Sequence, residues 1–221
     1  PQNVYTPDGT IAKESIFDFC KDYEKKIEKL GGLDLTLVEF GPSGNLAFNE
    51  PGSQINSSTR LMLLGSESRH NFAKLFHSNE AVPHSAITMG ISTLLGAKKV
   101  IVVGWGETIS PYVRQAIEAP ASDTVPASFL QSHKESKFVL DLSSAEHLTR
   151  LSTPWLVTSC EWDDKLIRRA IVWLCRITGK PILKLTNKDY NDNGLSELLA
   201  LFGSAYNVNI KIFNDLQHTI T

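Results

Sequence analysis

The sequence predicts an α/β fold with a mostly parallel sheet, and two patterns support this prediction. Short apolar runs rich in β-branched residues alternate with segments of helical spacing, and glycine-containing turns separate them. Repeated strand–turn–helix units typically form parallel sheets with helices packed against them. The chain has 221 residues, of which 42% are hydrophobic and 21% charged, and this is enough for one large domain with its own core.

The first predicted element is an amphipathic helix within residues 11–30, where apolar side chains recur every three or four positions. Gly31 and Gly32 are expected to end this helix. Residues 33–40 then form a short apolar run of the kind expected for a buried parallel strand. This strand leads into a loop at residues 41–53, a position where ligands often bind.

The clearest central strand is predicted at residues 100–103, four β-branched residues that end at a Gly-Trp-Gly turn. The same criteria predict further strands at residues 60–64 and 137–142, and helices at residues 67–76, at residues 112–118, and from a cap at Ser143 and Ser144 to Leu148.

We place the end of the main domain at residue 150 and treat residues 151–221 as a C-terminal extension of the α+β type. Its strongest feature is a helix at residues 165–177, and a further helix is predicted at residues 195–202. The alternating run at residues 208–212 is typical of a strand. Because the chain starts without a methionine and stops soon after this run, we expect it to be part of a longer protein, truncated at the N-terminus.

Composition excludes several classes of partner. The formal net charge is −2, with Lys and Arg spread along the chain, so we predict no binding to nucleic acid or to an anionic membrane. No apolar run is long enough to span a bilayer. The cysteines Cys20, Cys160 and Cys175 lack the spacing of a disulfide framework or a metal site, and the histidines lack HxH or HExxH spacing. We therefore predict a cytoplasmic protein with no metal and with a small-molecule or protein partner, and a homo-oligomer stays open.

The loop at residues 41–53 collects small and polar residues with a single carboxylate, and its sequence is GPSGNLAFNEPGS. Open α/β sheets bind ligands in crevices beyond the carboxyl ends of their strands, which makes this loop a candidate site. Glycine-rich loops after strands are also common as purely structural turns. Residue types and spacing alone leave both interpretations open.

Residues 44–53, GNLAFNEPGS, resemble the glucosamine-6-phosphate deaminase signature, in which Gly-x-Asp-Gly-His precedes Ile-Ala-Phe-Asn-Glu-Pro. The segments CKDYEKKIEKLGGLDLTLVEFG, AITMGISTLLGAKKVIVVGWGE and PASFLQSH are also similar to that family, so the resemblance covers about residues 7–150. It implies a Rossmann-like layered domain, as in ribose-phosphate isomerases and CoA transferases. It also implies a phosphorylated amino sugar as the ligand, and neither a metal nor an organic cofactor. An extension such as residues 151–221 resembles a subgroup that continues into a LmbE-like deacetylase domain.

In these deaminases the sugar ring opens, a proton moves between carbons 2 and 1, and ammonia leaves, which requires titratable groups near the sugar. The resemblance implies a catalytic trio of Glu50, Asn45 and Ser43. Glu50 keeps the family's glutamate, whereas Asn45 stands where the family has its ring-opening histidine and Ser43 where it has an aspartate. Neither replacement titrates near neutral pH. The family's carbon-2 base and first phosphate-binding turn belong to a segment upstream of Pro1, so we predict that this chain is inactive in isolation.

The resemblance also implies four substrate-binding residues. Lys74 stands where the family has a phosphate-binding arginine and keeps the positive charge without the bidentate fork. Gly44 and Asn49 preserve the loop, and Arg60 matches a family position, although a surface or ion-paired arginine is an alternative for Arg60. A non-catalytic sugar-phosphate-binding or scaffold domain of a larger protein is the alternative function.

Overall fold

A computed structural model describes the backbone of residues 4–220 and the side chains of residues 4–217. The chain divides into two compact units, Pro1–Leu148 (unit 1) and Thr149–Thr221 (unit 2). Within the described residues, no helix has the length and apolar character needed to cross a membrane.

Unit 1 is an α/β unit, as predicted. Its strands are β1 (Leu35–Glu39), β2 (Arg60–Leu63), β3 (Ser85–Thr88), β4 (Lys99–Gly104) and β5 (Ser136–Leu140). Its helices are α1 (Ile16–Lys29), α2 (Ser66–Phe72), α3 (Ile91–Leu95), α4 (Ser110–Glu118) and α5 (Leu142–Ala145). Short 3₁₀ turns occupy Lys13–Ser15, Glu107–Ile109 and Pro126–Ser132.

The main sheet has the strand order β1-β4-β5, and both of its strand pairs are parallel. This confirms the predicted parallel sheet and the position of β4 at its centre. Strands β2 and β3 form a separate antiparallel pair in which Arg60 lies opposite Thr88. The sequence predicts β2, but it gives β3 no separate signal because residues 85–88 run into the apolar stretch that forms α3.

The core of unit 1 lies on one face of the main sheet. Val38, Val100 and Val102 point into it, together with Leu94 from α3 and Val113 from α4. The opposite face of β1 is exposed, with 53% of Leu35 and 67% of Leu37 accessible to solvent. The strand predicted at residues 33–40 therefore pairs in parallel as expected. It is not buried on both faces, because the side chains of Leu35 and Leu37 are exposed.

The boundaries of the helices follow local chemistry. Helix α1 ends at Lys29, and Gly31 and Gly32 adopt φ angles of 93° and 84° that favour glycine. The predicted cap of α5 is wrong, because Ser143 and Ser144 lie inside that helix. Its N-cap is Asp141, whose carboxylate accepts a 2.8 Å hydrogen bond from the backbone N–H of Ser144.

Unit 2 is entirely helical within the described residues, so the predicted α+β extension is wrong. Its helices are α6 (Thr149–Ser152), α7 (Asp164–Thr178), α8 (Asn187–Asp192), α9 (Ser196–Phe202) and α10 (Ala205–Ile220), with 3₁₀ turns at Pro154–Leu156 and Ile182–Lys184. Helices α7 and α9 match the predicted ones.

The alternating run at residues 208–212 lies within α10. Its buried residues are Val208, Asn209 and Ile212, which follow helical spacing when Ala205 is included. The buried polar side chain of Asn209 produced the apparent alternation. Its Oδ1 accepts a 2.7 Å hydrogen bond from the hydroxyl of Tyr190, which is also fully buried.

Candidate functional site

The candidate site is built on the loop at residues 41–53, which follows the carboxyl end of β1. The loop folds back on itself, because Leu46 bridges both Phe40 and Asn49. The backbone N–H of Gly41 donates to the carbonyl of Asn45 at 2.8 Å, and that of Gly44 donates to the carbonyl of Gly41 at 3.0 Å. The loop is therefore held by its own backbone.

Two positions in this loop require glycine. A Cβ atom added at Gly41 would overlap the side-chain amide of Asn45. Gly44 has a φ of 76°, and a Cβ atom there would lie 2.6 Å from Cγ1 of Val125. The close packing at Gly41 fixes the side-chain position of Asn45.

The side chain of Asn45 is 4% exposed, and its polar atoms are used within the loop. Its Nδ2 donates to the carbonyl of Ala47 at 2.6 Å, and its Oδ1 accepts a 3.2 Å hydrogen bond from Oγ of Ser43. Ala47 has a φ of 50°, which costs free energy for a residue with a Cβ atom. The hydrogen bond from Asn45 stabilises this strained conformation.

Asn49 and Arg60 hold the loop against the β2–β3 pair. Asn49 is fully buried, and its Nδ2 donates to the carbonyls of Leu46 at 3.0 Å and Met89 at 2.8 Å. Arg60 donates from Nη1 to Oδ1 of Asn49 at 2.9 Å and from Nη2 to Oγ of Ser53 at 3.0 Å. Burial lowers the pKa of Arg60, although a guanidinium remains charged at any physiological pH.

Glu50 is half-buried and points toward the start of α2. A Cβ atom added at Gly65 would lie 3.5 Å from Oε2 of Glu50. The other carboxylate oxygen, Oε1, is buried and has no hydrogen-bond partner. Because a buried polar atom without a partner costs free energy, Oε1 can accept a hydrogen bond from an incoming donor.

A cavity of about 570 Å³ lies between β1, the loop and α2. The rings of Phe48 and Phe72 lie 5.6 Å apart between their centroids and form part of its wall. Ser68 is 2% exposed, and its Oγ has no hydrogen-bond partner. The residues that line the cavity are Leu37, Val38, Glu39, Gly41, Pro42, Asn45, Ala47, Phe48, Ser68, Asn71, Phe72 and Leu75. None of these lining residues is basic.

Of the seven residues singled out from the sequence, only Asn45 lines this cavity, and Ser43 donates a hydrogen bond to its side chain. Glu50 is outside the lining, and Asn49, Arg60 and Gly44 support the loop. Lys74 is exposed and follows the end of α2, next to the lining residue Leu75. The predicted residues therefore lie in the loop or next to it, but they do not surround a single cavity.

Helix α2 supplies lining residues that the sequence analysis missed. Ser68, Asn71 and Phe72 of α2 line the cavity, and so does Leu75, three residues after the end of this helix; counted from Ser68, the spacings are three, four and seven residues. This helical stripe was the available signal, but the spacing alone does not show which loop the stripe faces. Within the described residues, no group of three or more His, Cys, Asp or Glu side chains is placed to hold a metal ion.

Known proteins are similar to the chain to different extents. A glucosamine-6-phosphate deaminase-like protein of Bacteroides thetaiotaomicron is 64% identical over 220 residues, which are all of this chain and 33% of that protein. The glucosamine-6-phosphate deaminase of Rhodopirellula baltica is 37% identical over 149 residues, which are 67% of this chain and 59% of that enzyme. No protein-family model matches the chain.

A solved monomeric glucosamine-6-phosphate deaminase of the NagB superfamily has a TM-score of 0.62 and 32% identity to the chain. The match covers 64% of this chain and 58% of that structure. The predicted Rossmann-like α/β fold is therefore shared with a solved structure. The chain spans a third of the Bacteroides protein and less than three fifths of the two deaminases.

Proposed function

Because the chain belongs to the glucosamine-6-phosphate deaminase-like family, we propose that unit 1 forms one wall of a site for a phosphorylated amino sugar, without deaminating the sugar on its own. The observation that carries this proposal is the hydrogen bonding of the Asn45 side chain within the loop. It stands where the resemblance places a histidine, and both of its polar side-chain atoms are engaged by Ala47 and Ser43.

The proposed lack of turnover follows from proton chemistry. Ring opening and proton transfer between carbons need a group that gains and loses a proton, and such catalysis contributes about 10²–10⁴ in rate. A carboxamide and a hydroxyl do not titrate near neutral pH. Asn45 and Ser43 therefore hydrogen-bond to the loop or to a sugar hydroxyl, without carrying its proton.

The proposed recognition of a sugar uses the polar groups of the cavity. Its volume is within the range of about 300–1,000 Å³ that is usual for small-molecule sites. The carboxylate of Glu39 can accept hydrogen bonds from sugar hydroxyls, and Oγ of Ser68 has hydrogen-bonding capacity that the protein leaves unused. We assign the phosphate to Lys74, whose flexible ammonium lies on the exposed segment beside Leu75.

Glu50 favours a second function, which is deamination by the complete domain. It keeps the family's glutamate, and its unpartnered Oε1 can accept a hydrogen bond from a substrate or from another part of the protein. In that case residues outside this chain supply the base for carbon 2. Turnover by the complete protein distinguishes this function from a non-catalytic sensor or scaffold.

Calorimetric titration of the chain tests the recognition, and the same samples are assayed for ammonia. We expect saturable heat with glucosamine 6-phosphate, less with glucosamine or inorganic phosphate, and no ammonia. Lys74→Ala should weaken the binding, whereas Lys188→Ala, which removes an exposed lysine of unit 2, should not. Equal heats for the sugar phosphate and inorganic phosphate, or no heat at all, would overturn the proposed site.

Two further proposals accompany this function. We propose that the site needs no cofactor, as the resemblance implies. We also propose a cytoplasmic location, on the basis of three cysteines that are all free thiols.

A further inference from the structure

A second cavity of unit 1 lies between α1 and β2, and its volume is about 770 Å³. This is within the range of about 300–1,000 Å³ that is usual for small-molecule sites. The cavity shares no lining residue with the one beside the loop at residues 41–53. We call it the α1 groove, and the residues of α1 that line it are Ile16, Phe17, Cys20, Lys21, Glu24 and Glu28.

Glu24 provides a fixed carboxylate in the α1 groove. Its Oε1 accepts hydrogen bonds from the backbone N–H of Thr59 at 2.6 Å and from Oγ1 of Thr93 at 2.5 Å. Because both bonds use one oxygen, they hold the side chain in place and leave Oε2 available as an acceptor. Glu28, one helical turn further on, adds an exposed carboxylate to the same lining. These charges favour a cationic donor, since hydrogen bonds between charged groups are the stronger ones.

Thr59 adds an unsatisfied hydroxyl to the lining. The residue is 5% exposed, and its Oγ1 has no hydrogen-bond partner among the described residues. A buried hydroxyl without a partner costs free energy that a ligand donor would recover. Thr59 is therefore a second and independent indication that the groove accepts a polar group, next to the carboxylate that its backbone N–H anchors.

The rest of the lining includes apolar surface and positive charge. Phe17 and Leu61 are 75% and 41% exposed, and they give the groove apolar surface that a ligand can cover. Lys13 and Lys21 are exposed lysines at its rim. Arg60 also lines the groove, but its Nη atoms donate to the loop at residues 41–53. This combination of an inner acceptor, apolar surface and outer cations suits a zwitterion whose ammonium group enters first.

The spacing of the charges indicates the length of this zwitterion. The 3₁₀ turn that begins at Lys13 continues directly into α1. Glu24 follows Lys13 by 11 residues, which corresponds to a rise of about 16 Å along a helix. An extended tripeptide spans about 10 Å, at about 3.3 Å per residue. The flexible side chain of Lys13 covers the remaining distance, whereas a single amino acid is too short to contact both groups.

We propose that the α1 groove binds an apolar tripeptide with free termini. The ammonium group of the tripeptide donates to Oε2 of Glu24 and to Oγ1 of Thr59. Its side chains pack on Phe17 and Leu61, and its carboxylate pairs with Lys13. This ligand goes beyond the proposed sugar binding, because it occupies a separate cavity and needs no sugar.

Calorimetric titration of the 221-residue chain with the tripeptide Leu-Ala-Leu tests the proposal. We expect saturable heat, and N-acetylation of the tripeptide should weaken binding at least about tenfold, because it removes the ammonium group. Glucosamine 6-phosphate should not displace the tripeptide. Displacement, equal affinity for the acetylated tripeptide, or no heat at concentrations up to about 10 mM would overturn the proposal.

Three variants test the individual contacts. Glu24→Gln keeps an Oε1 acceptor for Thr59 and Thr93 but removes the charge, and it should weaken the binding of Leu-Ala-Leu at least about tenfold. Thr59→Val should weaken binding and keep or raise the melting temperature, because it removes a buried hydroxyl without a partner. Lys13→Gln should weaken the binding of the tripeptide and leave that of its C-terminal amide unchanged.

Glu135→Gln is the matched control, because Glu135 is an exposed glutamate that precedes β5 and does not line the groove. It should bind the tripeptide as the unchanged chain does. Equal affinities of Glu24→Gln and Glu135→Gln would overturn the proposal, and so would a Lys13→Gln variant that binds the tripeptide and its amide equally weakly. The titrations with the tripeptide alone contain no sugar, so their failure is distinguishable from failure of the proposed sugar site.

Discussion

Arg60 donates a 2.9 Å hydrogen bond from Nη1 to Oδ1 of Asn49, a side chain with no exposed surface. A second hydrogen bond, from Nη2 to Oγ of Ser53, ties the guanidinium to the end of the same loop. Arg60 therefore connects β2 to both ends of the NEPGS segment. Its fork geometry explains why an arginine occupies this position, since lysine cannot make two such bonds from a fixed plane.

We predict that Arg60→Met destabilises unit 1 by about 1–3 kcal/mol, because Oδ1 of Asn49 is left buried without a donor. Thermal unfolding measured by circular dichroism checks this. Arg114→Met is the control, since Arg114 forms an exposed pair with Glu118 on α4 and such pairs contribute less than about 1 kcal/mol. Equal melting temperatures for the two variants would show that the Arg60 contacts are dispensable.

Gly41 and Asn45 should be coupled. Gly41→Ala places a methyl group on the amide of Asn45 and should destabilise unit 1 by about 1–3 kcal/mol. The double variant Gly41→Ala with Asn45→Ala should lose less than the sum of the two single changes, because the overlapping group is gone. Gly9→Ala is the control, since no atom lies within 4 Å of a Cβ atom there. Additive losses in denaturant unfolding would contradict the predicted overlap.

Tyr190→Phe should destabilise unit 2 by about 1–3 kcal/mol, because Oδ1 of Asn209 loses its donor in a buried site. Urea unfolding followed by tryptophan fluorescence reports mainly on this unit, because Trp155, Trp162 and Trp173 lie in it and the fourth tryptophan, Trp105, is an exposed residue of unit 1. Tyr206→Phe removes a hydroxyl from a residue that is 70% exposed and should be neutral. If both changes are neutral, the hydrogen bond between α8 and α10 does not stabilise the extension.

The stability of unit 2 should fall in acid through Asp189. The ammonium of Lys180 at 2.7 Å, with the N–H and hydroxyl of Thr186, lowers the pKa of Asp189 to about 2. The folded pKa is below the unfolded value of about 3.9, so Asp189 stabilises the folded state above pH 4 and progressively less down to pH 2.

The difference in unfolding free energy between the unchanged chain and Asp189→Asn should therefore be constant above about pH 5 and shrink as the pH falls. Urea titrations at several pH values between 2 and 7 measure it. Asp192→Asn, an exposed change on the same helix, is the control and should change the unfolding free energy at neutral pH less than Asp189→Asn does. A difference for Asp189→Asn that grows in acid would reverse the predicted sign.

Much of unit 1 could be predicted from the sequence because its elements have strong local signals. The β-branched run of β4 and the glycines after α1 specify their structures within a few residues. The exposure of Leu35 and Leu37 on one face of β1 could not be predicted, because an apolar strand has the same sequence whether both of its faces are covered or only one. The strand predicted at residues 208–212 is wrong because Asn209 is polar and yet buried, with a hydrogen bond from the hydroxyl of Tyr190.

The candidate site was predictable at the level of the loop and less so at the level of single residues. Asn45, which the resemblance assigns to the site, lines the cavity, and the resemblance does not reveal that Asn49 and Arg60 bond to each other. Contacts between residues 11 positions apart depend on how the loop closes, and spacing gives no information about that. The same limit concealed Ser68, whose helix faces the cavity through tertiary packing.

Ammonia release from glucosamine 6-phosphate tests the central claim most directly. The chain is assayed at a sugar concentration that saturates the calorimetric binding. With Asn45 and Ser43 in place of titratable groups, the account predicts no ammonia above the spontaneous background. Release at about 1 s⁻¹ or faster, a rate usual for enzymes, would contradict it.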